Sequence, residues 1–173
     1  MTRDTRLRLP AMAALAGVLV LAALLIGVAS ARGGPISPRD GWAIIETSKP
    51  YAALLGDLRD AIAAEKMGLV TEAGPTDAAR ARGVEIPGNR VLGVFRNDFA
   101  VRILGLSTAA MIEAPVRFYV TEAPDGAGWL SWKRPSAVFA PYMDEGGADL
   151  EAAANELDAI FSAIARRATG GDA

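Results

Sequence analysis

Neither cysteine nor histidine occurs in the 173 residues of this chain. Their joint absence excludes a disulfide, a thiolate nucleophile, a zinc site built on Cys and His, and a Ser-His-Asp triad. Lysine is scarce, confined to Lys49, Lys66 and Lys133. Chemistry must rest on carboxylates, hydroxyls and arginines. Residues 1–31 hold Arg3, Arg6, Arg8 and Asp4, which leaves 15 basic and 19 acidic residues beyond them, a net charge of −4. Phosphate binding needs a basic patch, so no nucleic-acid partner is expected. A phosphate turn is missing too. In NRVLGVFRNDFAVRIL, Asn89 to Leu104, a strand pattern meets a helix pattern at FRNDF. That turn has no glycine to let backbone N–H groups approach an anion, and Asp98 would repel one. Gly126-Ala127-Gly128 falls where a hairpin needs positive φ, and it does not read as a nucleotide loop. No spacing among the 20 acids singles out a pair for hydrolysis or a metal. No cofactor is expected.

What the sequence does contain begins with its one long apolar run. Ala11 to Ser30, AMAALAGVLVLAALLIGVAS, is uncharged and follows an arginine-bearing start. About 20 apolar residues span a bilayer, while Ala29-Ser30-Ala31 is the small-x-small pattern that signal peptidase cuts. Residues 1–31 are therefore expected to be either a cleaved signal or an anchor at 11–30. Both carry the remainder across the cytoplasmic membrane, because the arginines hold the leading end inside. No cysteine follows, so lipid attachment there is excluded. Residues 32–41, rich in glycine and proline, read as a linker.

Residues 42–168 have the length and patterning of one domain. Trp42–Thr47 is predicted as a strand, with Ser48 and Pro50 opening a helix. Tyr51, Leu54, Leu55, Leu58, Ala61 and Ile62 lie on one face of that helix, which Gly68 is expected to end in a left-handed conformation. Leu69–Ala73 is a second strand and Thr76–Gly83 a short helix. Arg90–Phe95 is a third strand, apolar on both sides, with Arg90 and Arg96 marking solvated ends. A helix from Asp98 to Leu106 follows, capped by the Asn97 side chain. Pro115–Glu122 alternates, with Val116, Phe118 and Val120 on one face and Arg117, Tyr119 and Thr121 on the other. Trp129–Lys133 returns as its hairpin partner, placing Trp129 and Trp132 on opposite faces. A last helix covers Ala148–Arg167, and residues 169–173 read as a disordered tail. The order predicts an α+β fold, a mixed β-sheet with helices packed mainly on one face.

Several of these residues also carry a likeness. Lys66-Met67-Gly68-Leu69-Val70, then Val91–Phe95 with Asn97, then Ile112-Glu113-Ala114-Pro115 resemble the domain-of-unknown-function 302 family over about Trp42 to Lys133. Asp98 stands where that family usually has proline, Met67-Gly68-Leu69 lacks its aromatic residue, and the cysteine of some members is absent. The resemblance implies an α/β domain, often dimeric, with no established activity and no catalytic residue. Gly68, Asn97 and Pro115 are read as structural positions.

Glu113 and Arg117 flank Pro115 and are expected either to pair with each other at the surface or to bind a polar ligand. Arg117 and Tyr119 lie on the face that no helix covers, and both residue types are enriched at binding surfaces. Glu113, Arg117 and Tyr119 are thus the candidate surface for a small ligand, an envelope protein or a second copy of the chain. Three functions remain open: an exported binding domain without catalysis, an enzyme using carboxylates or Arg and Tyr, and a structural envelope protein.

Overall fold

The computed structural model describes residues 36–171. The apolar block 11–30, the cleavage motif at 29–31, the start of the linker and residues 172–173 lie outside the described residues. Among the described residues, no helix is long and apolar enough to cross a membrane.

Among the described residues, twelve segments build two layers. The strands are β1 (Trp42–Pro50), β2 (Gly68–Ala73), β3 (Asn89–Phe95), β4 (Val116–Glu122) and β5 (Ala127–Lys133). The helices are α1 (Tyr51–Ala64), α2 (Thr76–Arg80), α3 (Asn97–Leu106), α4 (Pro135–Phe139) and α5 (Met143–Thr169), with 3-10 turns at Ala109–Glu113 and Ala140–Tyr142. The sheet order is β1-β5-β4-β3-β2. Every pair is antiparallel, so the expectation of a mixed sheet is corrected. The strand-helix-strand unit β1-α1-β2 would have made a parallel pair had its strands been neighbours. Instead β1 and β2 sit at opposite edges with three strands between them.

Helices α1, α3, α4 and α5 pack together over one face of the sheet. That face is the apolar side of the strand alternation: Leu92, Val94, Val116, Phe118, Val120, Leu130 and Trp132 are all buried. Phe118 is its centre. Its ring stacks on Phe161 of α5 at 4.5 Å and meets Trp132 of β5 at 5.6 Å. The predicted α1 face, Leu54, Leu55, Leu58, Ala61 and Ile62, is buried against this layer.

Two predicted helix ends move. Gly68 does not close α1. Lys66 takes the left-handed conformation at φ 58°, with Lys66 N–H donating to Ala63 O and Met67 N–H to Ile62 O. This paired bonding is the Schellman closure, and it leaves Gly68 to begin β2. Asn97 does not cap α3 either. The extended residue before the helix is Arg96, Asn97 is already its first helical residue, and no side chain makes a cap bond. Asp98 supplies the negative charge of the first turn and binds Arg96 Nε at 2.8 Å. At the other end of the chain, α5 bends at Gly147 (φ 54°), runs on through Thr169, and is closed by left-handed Gly170. Residues 169 and 170, assigned to a tail from sequence, are the end of this helix.

Candidate functional site

With the helices on one side, the alternate residues of each strand form an open face. The register brings Ile44 beside Ser131, Ser131 beside Tyr119, and Tyr119 beside Val91. Tyr119 accepts a hydrogen bond from the Asn89 amide on β3. At one end of this face, where β4 starts and β5 stops, lies a pocket of about 340 Å³. Its walls are apolar: Trp42, Val91, Val116, Trp132 and Val138. Its polar groups are Asn89, Glu113, Arg117, Tyr119 and Lys133.

The three residues singled out from sequence, Glu113, Arg117 and Tyr119, all line this one pocket. They do not interact as expected, however. Glu113 is not paired with Arg117; its Oε1 accepts from the Tyr142 hydroxyl at 2.8 Å. That bond is the main reason the Tyr142 hydroxyl holds its proton above the usual tyrosine range. Tyr142 is therefore a donor here rather than a base. Arg117 forms no ion pair among the described residues, and neither does Lys133. Lys133 lies 5.8 Å from the centre of the Trp42 ring, and Arg39 lies over the same ring at 5.1 Å.

Trp42, Trp132, Lys133, Asn89, Val138 and Tyr142 were not recognised from sequence as site residues. Trp42 and Lys133 face each other across β1 and β5, a pairing of the first and last strands that periodicity does not reveal. The two hairpin tryptophans do separate as expected. Trp132 is core, 5% exposed, while Trp129 is half-buried on the open face opposite Glu46 and Thr121.

A second polar cluster sits on the helix side of the β2 edge. Arg59 binds Glu72 at 2.5 Å and Arg90 binds Asp77 at 2.8 Å. Both carboxyls are held below their ordinary values, Glu72 mainly by Arg59 and Asp77 mainly by Arg90. Arg90 is therefore not a solvated strand end. Its Nε and the neighbouring Tyr51 hydroxyl are buried without hydrogen-bond partners, and burial raises the Tyr51 pKa. Asn97 is exposed and lies outside the pocket. Pro115, joined to Ala114 by a cis peptide, packs its ring beside Gly93 on the open face.

Fold and site together define a two-layer antiparallel α+β domain with a small-molecule-sized pocket at the rim of its uncovered sheet face. The chain belongs to the family described as domain of unknown function DUF302, whose model matches residues 44–164. Its structure is similar to the crystal structure of an uncharacterized conserved DUF302 protein from Bacillus stearothermophilus. The two share 15% sequence identity and a TM-score of 0.66, covering 75% of this chain and 99% of that one. At that identity the likeness speaks for the fold. No curated protein matches this chain.

Proposed function

We propose that this is an exported binding domain of the cell envelope, without catalysis, whose small ligand lodges in the pocket between β1, β3, β4 and β5. One observation carries the reading. Residues from four strands, a 3-10 turn and the short helix α4 converge on a cavity of about 340 Å³ with mainly apolar walls and a few polar groups. Ligand sites commonly have that size and that composition. Export rests on the apolar block and its flanking arginines. Against an enzyme of the carboxylate or Arg/Tyr kind stands the Glu113–Tyr142 bond, which occupies the pocket's one carboxylate and keeps the phenol protonated.

Native mass spectrometry of the protein released from the envelope fraction tests both halves. The expected result is a retained small molecule in the wild type and none in the double variant Arg117→Ala, Tyr119→Ala, with both proteins folded. A cytoplasmic protein, or one that retains nothing, would defeat the reading. A double variant altered only in oligomer size would point instead to a second copy on the open face. Half-buried Trp129, an aromatic side chain on an uncovered sheet, favours that alternative.

A further inference from the structure

We infer that the pocket takes a small organic anion with an apolar body, its carboxylate or equivalent group held between Arg117 and Lys133. The inference deepens the ligand-binding reading above and rests on it. The register carries the argument. Phe118 of β4 pairs with Trp132 of β5. Continued by one position, the same antiparallel register sets Arg117 beside Lys133, both on the open face. Directly opposed residues on adjacent strands bring their Cβ atoms to about 5 Å, and like charges so placed repel. No carboxylate among the described residues lies within ion-pair distance of either.

Other cations among the described residues, such as Arg82, Arg134 and Lys66, also reach no carboxylate, but Arg117 and Lys133 are set apart by lying side by side on paired strands at a pocket. Arg59, Arg80, Arg90, Arg96, Arg102 and Arg167 each reach a carboxylate. The domain carries an excess of acids, so an uncompensated pair of cations does not follow from a shortage of partners. Arg39 adds a third positive group over the Trp42 ring. Glu113, the one carboxylate lining the pocket, is turned to Tyr142. An incoming anion relieves the Arg117–Lys133 repulsion and gains charge-assisted hydrogen bonds, with a guanidinium fork suited to a planar carboxylate. Beside those cations the pocket offers Trp42, Val91 and Val138, so the remainder of the ligand is apolar rather than sugar-like or phosphate-rich.

Near-isosteric probes separate charge from shape: phenylacetate, phenylacetamide and phenethylamine, titrated into the full-length protein. Calorimetry and the fluorescence of its tryptophans serve as readouts. Phenylacetate should bind, the amide at least about tenfold more weakly, and the amine not at all, since hydrogen bonds to charged groups carry that much affinity. Arg117→Ala and Lys133→Ala should each weaken the acid by about tenfold while leaving the amide unchanged. Arg117→Lys should recover part of the loss. Added salt should weaken the acid alone. Equal affinity for acid and amide would overturn the anion assignment while leaving the pocket reading intact. Failure of all three probes to bind would overturn the assignment and count against the pocket reading as well.

Discussion

Single residues explain where this chain departs from the usual sequence signals. Lys66 occupies a left-handed conformation that glycine adopts freely, although Gly68 is only two positions away. The register of β2 against β3 requires Gly68 opposite Phe95, and a Cβ there would lie 3.3 Å from the Phe95 carbonyl oxygen. The turn into the strand must therefore be completed earlier, at Lys66. Lys66→Gly should stabilise the domain by up to about 1 kcal/mol, read from the urea midpoint. The extra freedom glycine gives the unfolded chain offsets part of the gain. Asn97 is the converse case. Because it makes no cap bond and is exposed, Asn97→Ala should shift the same midpoint by less than about 0.5 kcal/mol. A loss near 1 kcal/mol would restore the capping role expected from sequence.

At the scale of elements, alternation in β4 and the apolar spacing of α1 were legible because burial imposes a period on each. Neighbour relations across strands were not, since nothing in a strand's own residues says which strand lies beside it. The pocket shows the consequence. Arg117 and Tyr119 could be assigned to an uncovered face, but Trp42 and Lys133 become their neighbours only through the β1-β5-β4 order. Nor could the Glu113–Tyr142 bond be foreseen, because it joins two 3-10 turns 29 positions apart in sequence. Gly93 tests the packing around β3. An added Cβ would run into Thr71 Oγ1 and come within 2.8 Å of Pro115 Cγ. Gly93→Ala should cost about 1–3 kcal/mol, the range for overpacking. Thr71→Ala in the same chain should recover part of that, as a double-mutant cycle in chemical denaturation would measure.

For the whole molecule, titration divides stability into an acid and an alkaline side. Glu72, Asp77 and Asp98 all have carboxyls lowered by arginines: Arg59, Arg90 and Arg96 respectively. A group with a depressed folded pKa stabilises fully above its unfolded value, near 4, and that contribution disappears as pH falls through the folded one. The melting temperature should therefore be level above about pH 5 and fall below about pH 4, with Glu72→Gln flattening part of the fall. Tyr51 acts in the opposite direction. Its raised pKa means the neutral phenol suits the fold, so stability is lost as pH rises beyond about 10. Tyr142, whose phenol pKa is also raised, acts the same way, so Tyr51→Phe should remove part of that alkaline limb. Thermal scans from about pH 3 to pH 11 would check both sides, and an unchanged profile in either variant would refute its assignment.

The pairing of β1 with β5 also bears on how the chain acquires its shape. Among the described residues the first strand finds its sheet neighbour in the last, so Trp42 must wait for Lys133. Closing a loop that spans nearly all the strands costs chain entropy before any ladder bond compensates, and such topologies fold slowly. Until β5 arrives, β1 is an unpaired edge and one side of β4 is bare. The chain's N-terminal portion therefore cannot lock into the sheet while the rest is still being made.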